Sequence, residues 1–341
     1  MERRKIALVG SGNIGGTLAH MMCARELGDV VLLDVEPKMP LGKSLDVGQA
    51  SQIIGGDVEF LGTDSYEAIE DADVIVVTAG FTRAPGKTDD SWCREDLIAS
   101  NLKVIEQVGK GIREYAPDAF VICVTNPLDA MVWSLRKYSG LPSNMIVGMA
   151  GVLDSNRFAF FLSRELGVST KDVRAIAIGV HGDEMVPLAR YSSVSGIPVM
   201  DFVKMGYLSE ERLEAIINRT RTGGAEIVQL MPKGSAYYAP SEAIMLMAES
   251  YLKDRKRLIP CSAYLSGEYG VHGIHVGVPI VIGGGGIEKI IELELSDKER
   301  VLFERSLAAV KGLVELCQQL DSSLLVDDLV IPLHTTDHSI A

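Results

Sequence analysis

Three glycines, Gly10, Gly12 and Gly15, stand between an apolar run, Lys5-Ile6-Ala7-Leu8-Val9, and a helical stretch, and a second apolar run, Val30-Val31-Leu32-Leu33, ends on Asp34. Few folds accommodate that order. The first glycine permits a tight turn, the second lets the backbone approach a pyrophosphate, and the third lets helix pack on strand, with the helix N-terminus facing the anion. Asn13 and Ile14, which open the helix, belong to the same expected dinucleotide site. A carboxylate at Asp34 can accept both hydroxyls of an adenosine ribose and would repel a 2′-phosphate, so the expected cofactor is NAD rather than NADP. A G-x-G-x-x-G string alone is weak in a chain with 34 glycines among 341 residues. Its weight comes from position, since strand, turn, helix, strand and acid follow in the required sequence; the alternative is a glycine-rich turn in an α/β core with no ligand.

Up to residue 148, short β-branched runs alternate with helical segments. Lys5–Val9, Val30–Asp34, Val58–Leu61, Val74–Ala79 and Phe120–Val124 read as strands, which predicts a doubly wound parallel sheet of the Rossmann type. Ligands of such sheets bind beyond the carboxyl ends of the strands, where Gly10, Asp34, Gly80 and Asn126 fall. Thr78, Ala79 and Val124, at the same strand ends, join the expected cofactor site. From 149 to 320 the pattern becomes mixed α+β: a helix over Leu153–Leu166, a strand over Val173–Val180, helices over Glu210–Gln229 and Pro240–Lys253, a hairpin around Gly283–Gly286 and a last helix over Ser296–Leu320. No flexible linker divides the halves, so a shared cleft is expected. Residues 321–341 follow no period and read as a disordered tail.

With 47% hydrophobic residues the chain can bury substantial cores. Acids outnumber bases 46 to 33, a net charge of -13, which argues against nucleic acid as a partner. No apolar run nears the roughly 18 residues of a membrane span, and Met1-Glu2-Arg3-Arg4 leads into the first strand without a signal peptide, so a cytoplasmic protein is expected. The five cysteines, Cys23, Cys93, Cys123, Cys261 and Cys317, are scattered without a C-x-x-C pair, indicating neither a disulfide framework nor a zinc site. Cys93, beside Arg94 in a polar segment, is the one candidate for an exposed thiol.

Asp154 and Arg157 are one helical turn apart and project from one face, as a surface ion pair or as a pair turned into the cleft. In the second case the guanidinium grips a substrate carboxylate and the aspartate holds a histidine. His181, at the end of the apolar strand and followed by Gly182-Asp183-Glu184, is the candidate. Hydride transfer to a carbonyl leaves a developing alkoxide, which needs a proton donor titrating near neutrality. His272 and His275 form an H-x-x-H without an acidic third ligand, so no metal is expected. The polar segment from Phe81 to Asp96 is long for a βα connection; it reads as a lid, with Arg94 able to polarise a carbonyl, or as a solvated charged loop.

Together with the glycine turn, Val124-Thr125-Asn126-Pro127, Leu153-Asp154-Ser155-Asn156-Arg157 and Gly179-Val180-His181-Gly182-Asp183 make the chain resemble the L-lactate/L-malate dehydrogenase family. The resemblance runs in order from residue 4 to about 320. It implies that His181 is the acid/base, Asp154 its partner, Arg157 the carboxylate anchor, Arg94 the loop arginine polarising the carbonyl, and Asn126 a ligand of substrate and nicotinamide. A small 2-keto or 2-hydroxy acid substrate, NAD and a homo-oligomer, with a tetramer favoured, follow from it. The extended loop with Trp92 is similar to that of the apicomplexan L-lactate dehydrogenases, malate dehydrogenase-derived enzymes in which this tryptophan favours the methyl of pyruvate. Arg83 pulls the other way, because malate dehydrogenases use arginine there for the second carboxylate of oxaloacetate. Ala236, where vertebrate-type lactate enzymes carry threonine, fits the malate-derived lineage. The expected activity is glycolytic pyruvate/L-lactate interconversion with residual malate/oxaloacetate activity. The alternatives are a malate dehydrogenase dominated by Arg83, or a non-catalytic NAD-binding protein.

Overall fold

The computed structural model describes residues 3–82, 94–231 and 234–325, the side chain of Arg94 excepted. Six parallel strands, β1 (Lys5–Val9), β2 (Asp29–Leu33), β3 (Phe60–Thr63), β4 (Val74–Val77), β5 (Phe120–Cys123) and β6 (Ile146–Gly148), lie in the order β6-β5-β4-β1-β2-β3. The apolar runs of β1, β2, β4, β5 and β6 are buried on both faces, as a parallel sheet covered by helices requires, while β3 at the edge leaves Leu61 exposed. The covering helices are α1 (Asn13–Ala24), α2 (Lys38–Ile54), α3 (Arg94–Tyr115) and α4 (Leu128–Ser139). Strand β6, three residues long, carries too little periodicity to be read from sequence.

In the second half, α5 (Gly151–Leu166) precedes five short strands: β7 (Val173–Arg174), β8 (Ala177–Ile178), β9 (Val186–Pro187), β10 (Ser193–Val194) and β11 (Ile197–Pro198). The single strand expected over Val173–Val180 is thus two. β7 pairs with β10, whereas β8 pairs with β9, and Gly179 bridges to Gly277. The chain changes partners here, so its largely apolar character, broken by the exposed Arg174, reflects burial between layers rather than one ladder. Helices α6 (Val199–Lys204), α7 (Glu210–Leu230) and α8 (Tyr238–Leu252) follow, then β12 (Arg257–Ser266), β13 (His272–Gly283), β14 (Gly286–Ile290) and α9 (Asp297–Leu320). A capping box between Ser296 and Glu299 starts α9, each side chain bonding the other's backbone N–H.

β12 pairs antiparallel with β6 through Ser262 and Gly148, so the β12–β14 meander extends the parallel sheet to nine strands. One hydrophobic core accordingly runs from Ile6 and Val76 to Val278 and Ile280, and a smaller cluster around Phe158 and Leu162 lies under α6 and α7. This sheet is shared by the two halves, and the cleft opens where the carboxyl ends of β1, β4 and β5 meet α5.

Two further departures concern boundaries. Arg94, Glu95 and Asp96, read as part of the polar loop, begin α3, whose first turn gains two acids beside the positive end of the helix dipole. Asp321 to Leu325, read with the tail, are anchored at two points: Leu324 is buried and Asp321 accepts a hydrogen bond from the Tyr138 hydroxyl at 2.6 Å. The rest of the tail, 326–341, lies outside the described residues, as do Arg83, Trp92 and Cys93; the other four cysteines are unpaired and buried. Among the described residues no helix is long and apolar enough to cross a membrane, and no cluster of metal-ligating side chains occurs.

Candidate active site

Gly10 has φ +107, open to glycine without strain, and a Cβ on Gly15 would stand 2.1 Å from the Gly10 carbonyl oxygen. Turn and helix therefore meet at a distance only glycine permits. No side chain caps α1, a Cβ on Gly12 would meet open space, and the buried Ser11 Oγ has no hydrogen-bond partner among the described residues. Such a turn offers unused donors to a diphosphate, so the residues present fit a dinucleotide. Beside it, Asp34 accepts from the Ser11 N–H at 2.6 Å and the Glu36 N–H at 3.1 Å. Gly10, Gly12, Asp34, Thr78, Ala79 and Gly80 line a cavity of about 380 Å³.

A second cavity of about 310 Å³ shares Thr78 and Gly80 with the first and adds Ile14, Val124, Asn126, Arg157, His181 and Ala236. The two form one cleft across the strand ends. Asn13, the first residue of α1, faces a separate hollow of about 420 Å³ with Lys43 and Tyr237, and Gly15 serves helix packing instead of lining the cleft.

Asp154 and Arg157 stand on one face of α5, and the Arg157 Nη1 approaches the Asp154 Oδ1 at 3.3 Å. The carboxylate is buried and its other oxygen lies 2.9 Å from His181 Nδ1. A proton on Nδ1 satisfies this contact, leaving Nε2 for the cavity. Burial pulls the imidazole pKa down, but the charge and hydrogen bond of Asp154, with Asp129 in support, outweigh both burial and the opposing Arg157, so it lies above 6.5. Arg157 is itself held, donating weakly to the Thr220 carbonyl at 3.5 Å and packing where Gly223 leaves room.

The surface ion pair is thereby set aside, since both partners are largely withdrawn from solvent. Two residues that sequence reasoning missed hold this frame. Asn101 of α3 accepts from the Phe81 N–H at 2.7 Å and donates to the Asn126 carbonyl at 2.7 Å, tying two strand-end loops together. Asp129 of α4 accepts from the His181 main-chain N–H at 2.8 Å. Each is a polar side chain on the apolar face of its helix, a signal visible in sequence but shared by many satisfied core residues. His275, of the H-x-x-H pair, is buried away from the cleft against the Tyr264 ring.

Comparison with known proteins agrees with this architecture. Residues 4–148 match the lactate/malate dehydrogenase NAD-binding domain, and 151–319 match the α/β C-terminal domain of the same family. A lactate dehydrogenase from Eimeria maxima, solved with NADH and oxamate, is 46% identical with a TM-score of 0.91, over 96% of this chain and 98% of its own. The malate dehydrogenase of Cryptosporidium parvum is 44% identical at TM-score 0.89, and that of Plasmodium falciparum 42% at 0.88, each over 93% of this chain and 99% of its own. With this cleft and both domains matched in full order, the chain belongs to the lactate/malate dehydrogenase family and is an NAD-dependent 2-hydroxy acid dehydrogenase.

Proposed function

We propose that this chain interconverts pyruvate and L-lactate, with residual activity on oxaloacetate and malate. The observation that carries the chemistry is the buried Asp154–His181 couple at the wall of a cavity whose other face is the dinucleotide cleft. NAD, when bound, supplies or takes up the hydride. His181 then delivers a proton from Nε2 to the nascent alkoxide, and Asp154 holds the ring and stabilises its charged form. Arg157 pairs with the substrate carboxylate through two parallel hydrogen bonds, and Asn126 orients the carbonyl. Arg94 polarises that carbonyl from the loop end of α3. Gly10, Gly12, Ile14, Thr78, Ala79, Gly80 and Val124 bear on the cofactor, with Asp34 on the adenosine ribose.

Pyruvate is favoured by the lining of the cavity. Arg157 is the one guanidinium among its described lining residues, and Leu153, Val228 and Ala236 give it an apolar patch beside the polar Thr78, Thr125, Asn126 and Ser235. One carboxylate and one methyl suit that lining, and the resemblance assigns Trp92, outside the described residues, the same preference for the methyl. Malate dehydrogenase is the second reading, favoured by Arg83 and by the malate dehydrogenases among the similar structures. Leaving the second carboxylate of oxaloacetate unpaired in a dry pocket costs several kcal/mol, which suffices to decide between substrates. NADH oxidation measured side by side should show higher kcat/KM for pyruvate, and Trp92→Ala should cripple it. An oxaloacetate advantage of tenfold or more, about 1.4 kcal/mol, would instead make Arg83 the determinant.

The working form is proposed to be a cytoplasmic homo-oligomer, with a tetramer favoured. An apolar hollow of about 670 Å³ between α5, α7 and α8, lined by Phe160, Phe161 and Leu230, supports association, as does the exposed Ile53 of α2.

A further inference from the structure

His181 is flanked by a second buried carboxylate that approaches its backbone instead of its ring. Asp129 lies in the first turn of α4, is 1% exposed, and receives the His181 N–H on Oδ2 at 2.8 Å. Its Oδ1 accepts from the Ser262 hydroxyl of β12 at 2.6 Å, and Ser262 is itself fully buried. Ser262 is also the residue through which β12 pairs with β6. A single carboxylate therefore ties α4, the β6–β12 seam and the turn bearing His181 together. Facing it are His181, Asp154 behind the ring, and the buried Cys123 thiol of β5, with Arg157 beyond Asp154.

The hydrogen bonds alone do not require a charge. An asparagine of the same shape could accept the His181 N–H and donate to the Ser262 oxygen. What the carboxylate adds is negative charge next to a ring that becomes cationic during turnover, placed where water cannot screen it. Burial is the largest influence and leaves the Asp129 carboxyl above its usual range, with the Ser262 hydroxyl, the His181 N–H and the His181 charge opposing that rise, so the charge is held by these partners.

We infer that Asp129, anchored by Ser262, is a positioning residue for proton transfer: it fixes the main chain of His181 between Asp154 and the cavity, and its charge favours the imidazolium. The inference rests on His181 being the acid/base. It touches neither substrate nor cofactor.

The test uses the full-length protein in three forms, Asp129→Asn, Ser262→Ala and His181→Asn, with NADH binding read by fluorescence and pyruvate reduction followed across pH. In Asp129→Asn the loss of kcat/KM on the alkaline side should move to lower pH by about one unit, a tenfold deficit there, with NADH affinity unchanged. Ser262→Ala keeps the charge and loosens the anchor, so its single-turnover rate should fall severalfold with the pH midpoint in place. An Asp129→Asn midpoint equal to that of the unmodified enzyme overturns the inference. If that variant fails to bind NADH, an undiminished single-turnover rate in Ser262→Ala overturns it instead. Turnover retained in His181→Asn would sink the acid/base reading, and this inference with it; turnover lost there while both other variants behave normally sinks the inference alone.

Discussion

At the scale of single residues, the site turns on how one imidazole is charged. His181 has a pKa raised above 6.5, because Asp154 and Asp129 outweigh burial. The reduction direction needs the imidazolium, so pyruvate reduction should weaken as pH rises through that raised value, and lactate oxidation should strengthen over the same window. Linkage gives the same sign for folding: the histidine–aspartate contact stabilises fully below 6.5 and is lost as pH rises through the folded-state pKa. Asp154→Asn removes the nearer charge, and we expect its reduction profile to break at lower pH with kcat/KM down by about 10- to 100-fold. A profile that superimposes on the unmodified enzyme would remove Asp154 from the proton path. Sequence alone pointed to His181, Asp154 and Arg157 because their spacing and motif are local. Asp129 and Ser262 were not legible, since their contact joins residues 133 positions apart and each looks like an ordinary core polar group.

Among the elements, the β12–β13 pair shows what is lost between pattern and structure. The glycines of Gly283–Gly286 announced a hairpin, which joins β13 to the short β14, but nothing local tells that β12, paired with β13 on one side, docks on β6 on the other to extend the first sheet. The strand expected over Val173–Val180 split for a related reason, because burial between layers produces the same apolar run as a paired strand. β13 also buries His275 with both ring nitrogens unpartnered among the described residues. Burial, with Arg136 nearby, holds its pKa well below 6.5. The unfolded chain binds a proton there below 6.5 and the folded chain does not, so stability should fall as pH drops through that value. The slope approaches about 1.4 kcal/mol per pH unit for one such group. Urea unfolding at pH 5 and pH 7.5 should therefore show a smaller acid loss in His275→Leu than in the unmodified chain, and equal losses would remove His275 as the cause.

For the whole molecule, one sheet and one core span both halves, so cofactor and proton donor are held in a single rigid frame. Calorimetry should show one cooperative transition, and NADH at about 100 times its Kd should add about 2.7 kcal/mol to the whole of it. Two transitions of which NADH moves only one would mean that the halves are energetically separate. On this reading the first half binds the dinucleotide while His181, from the second, moves the proton. Single-turnover oxidation of bound NADH by pyruvate in His181→Asn tests it most directly. NADH should bind as tightly as before while the rate falls by about 10²- to 10⁴-fold; a rate close to that of the unmodified enzyme would mean that His181 does not move the proton.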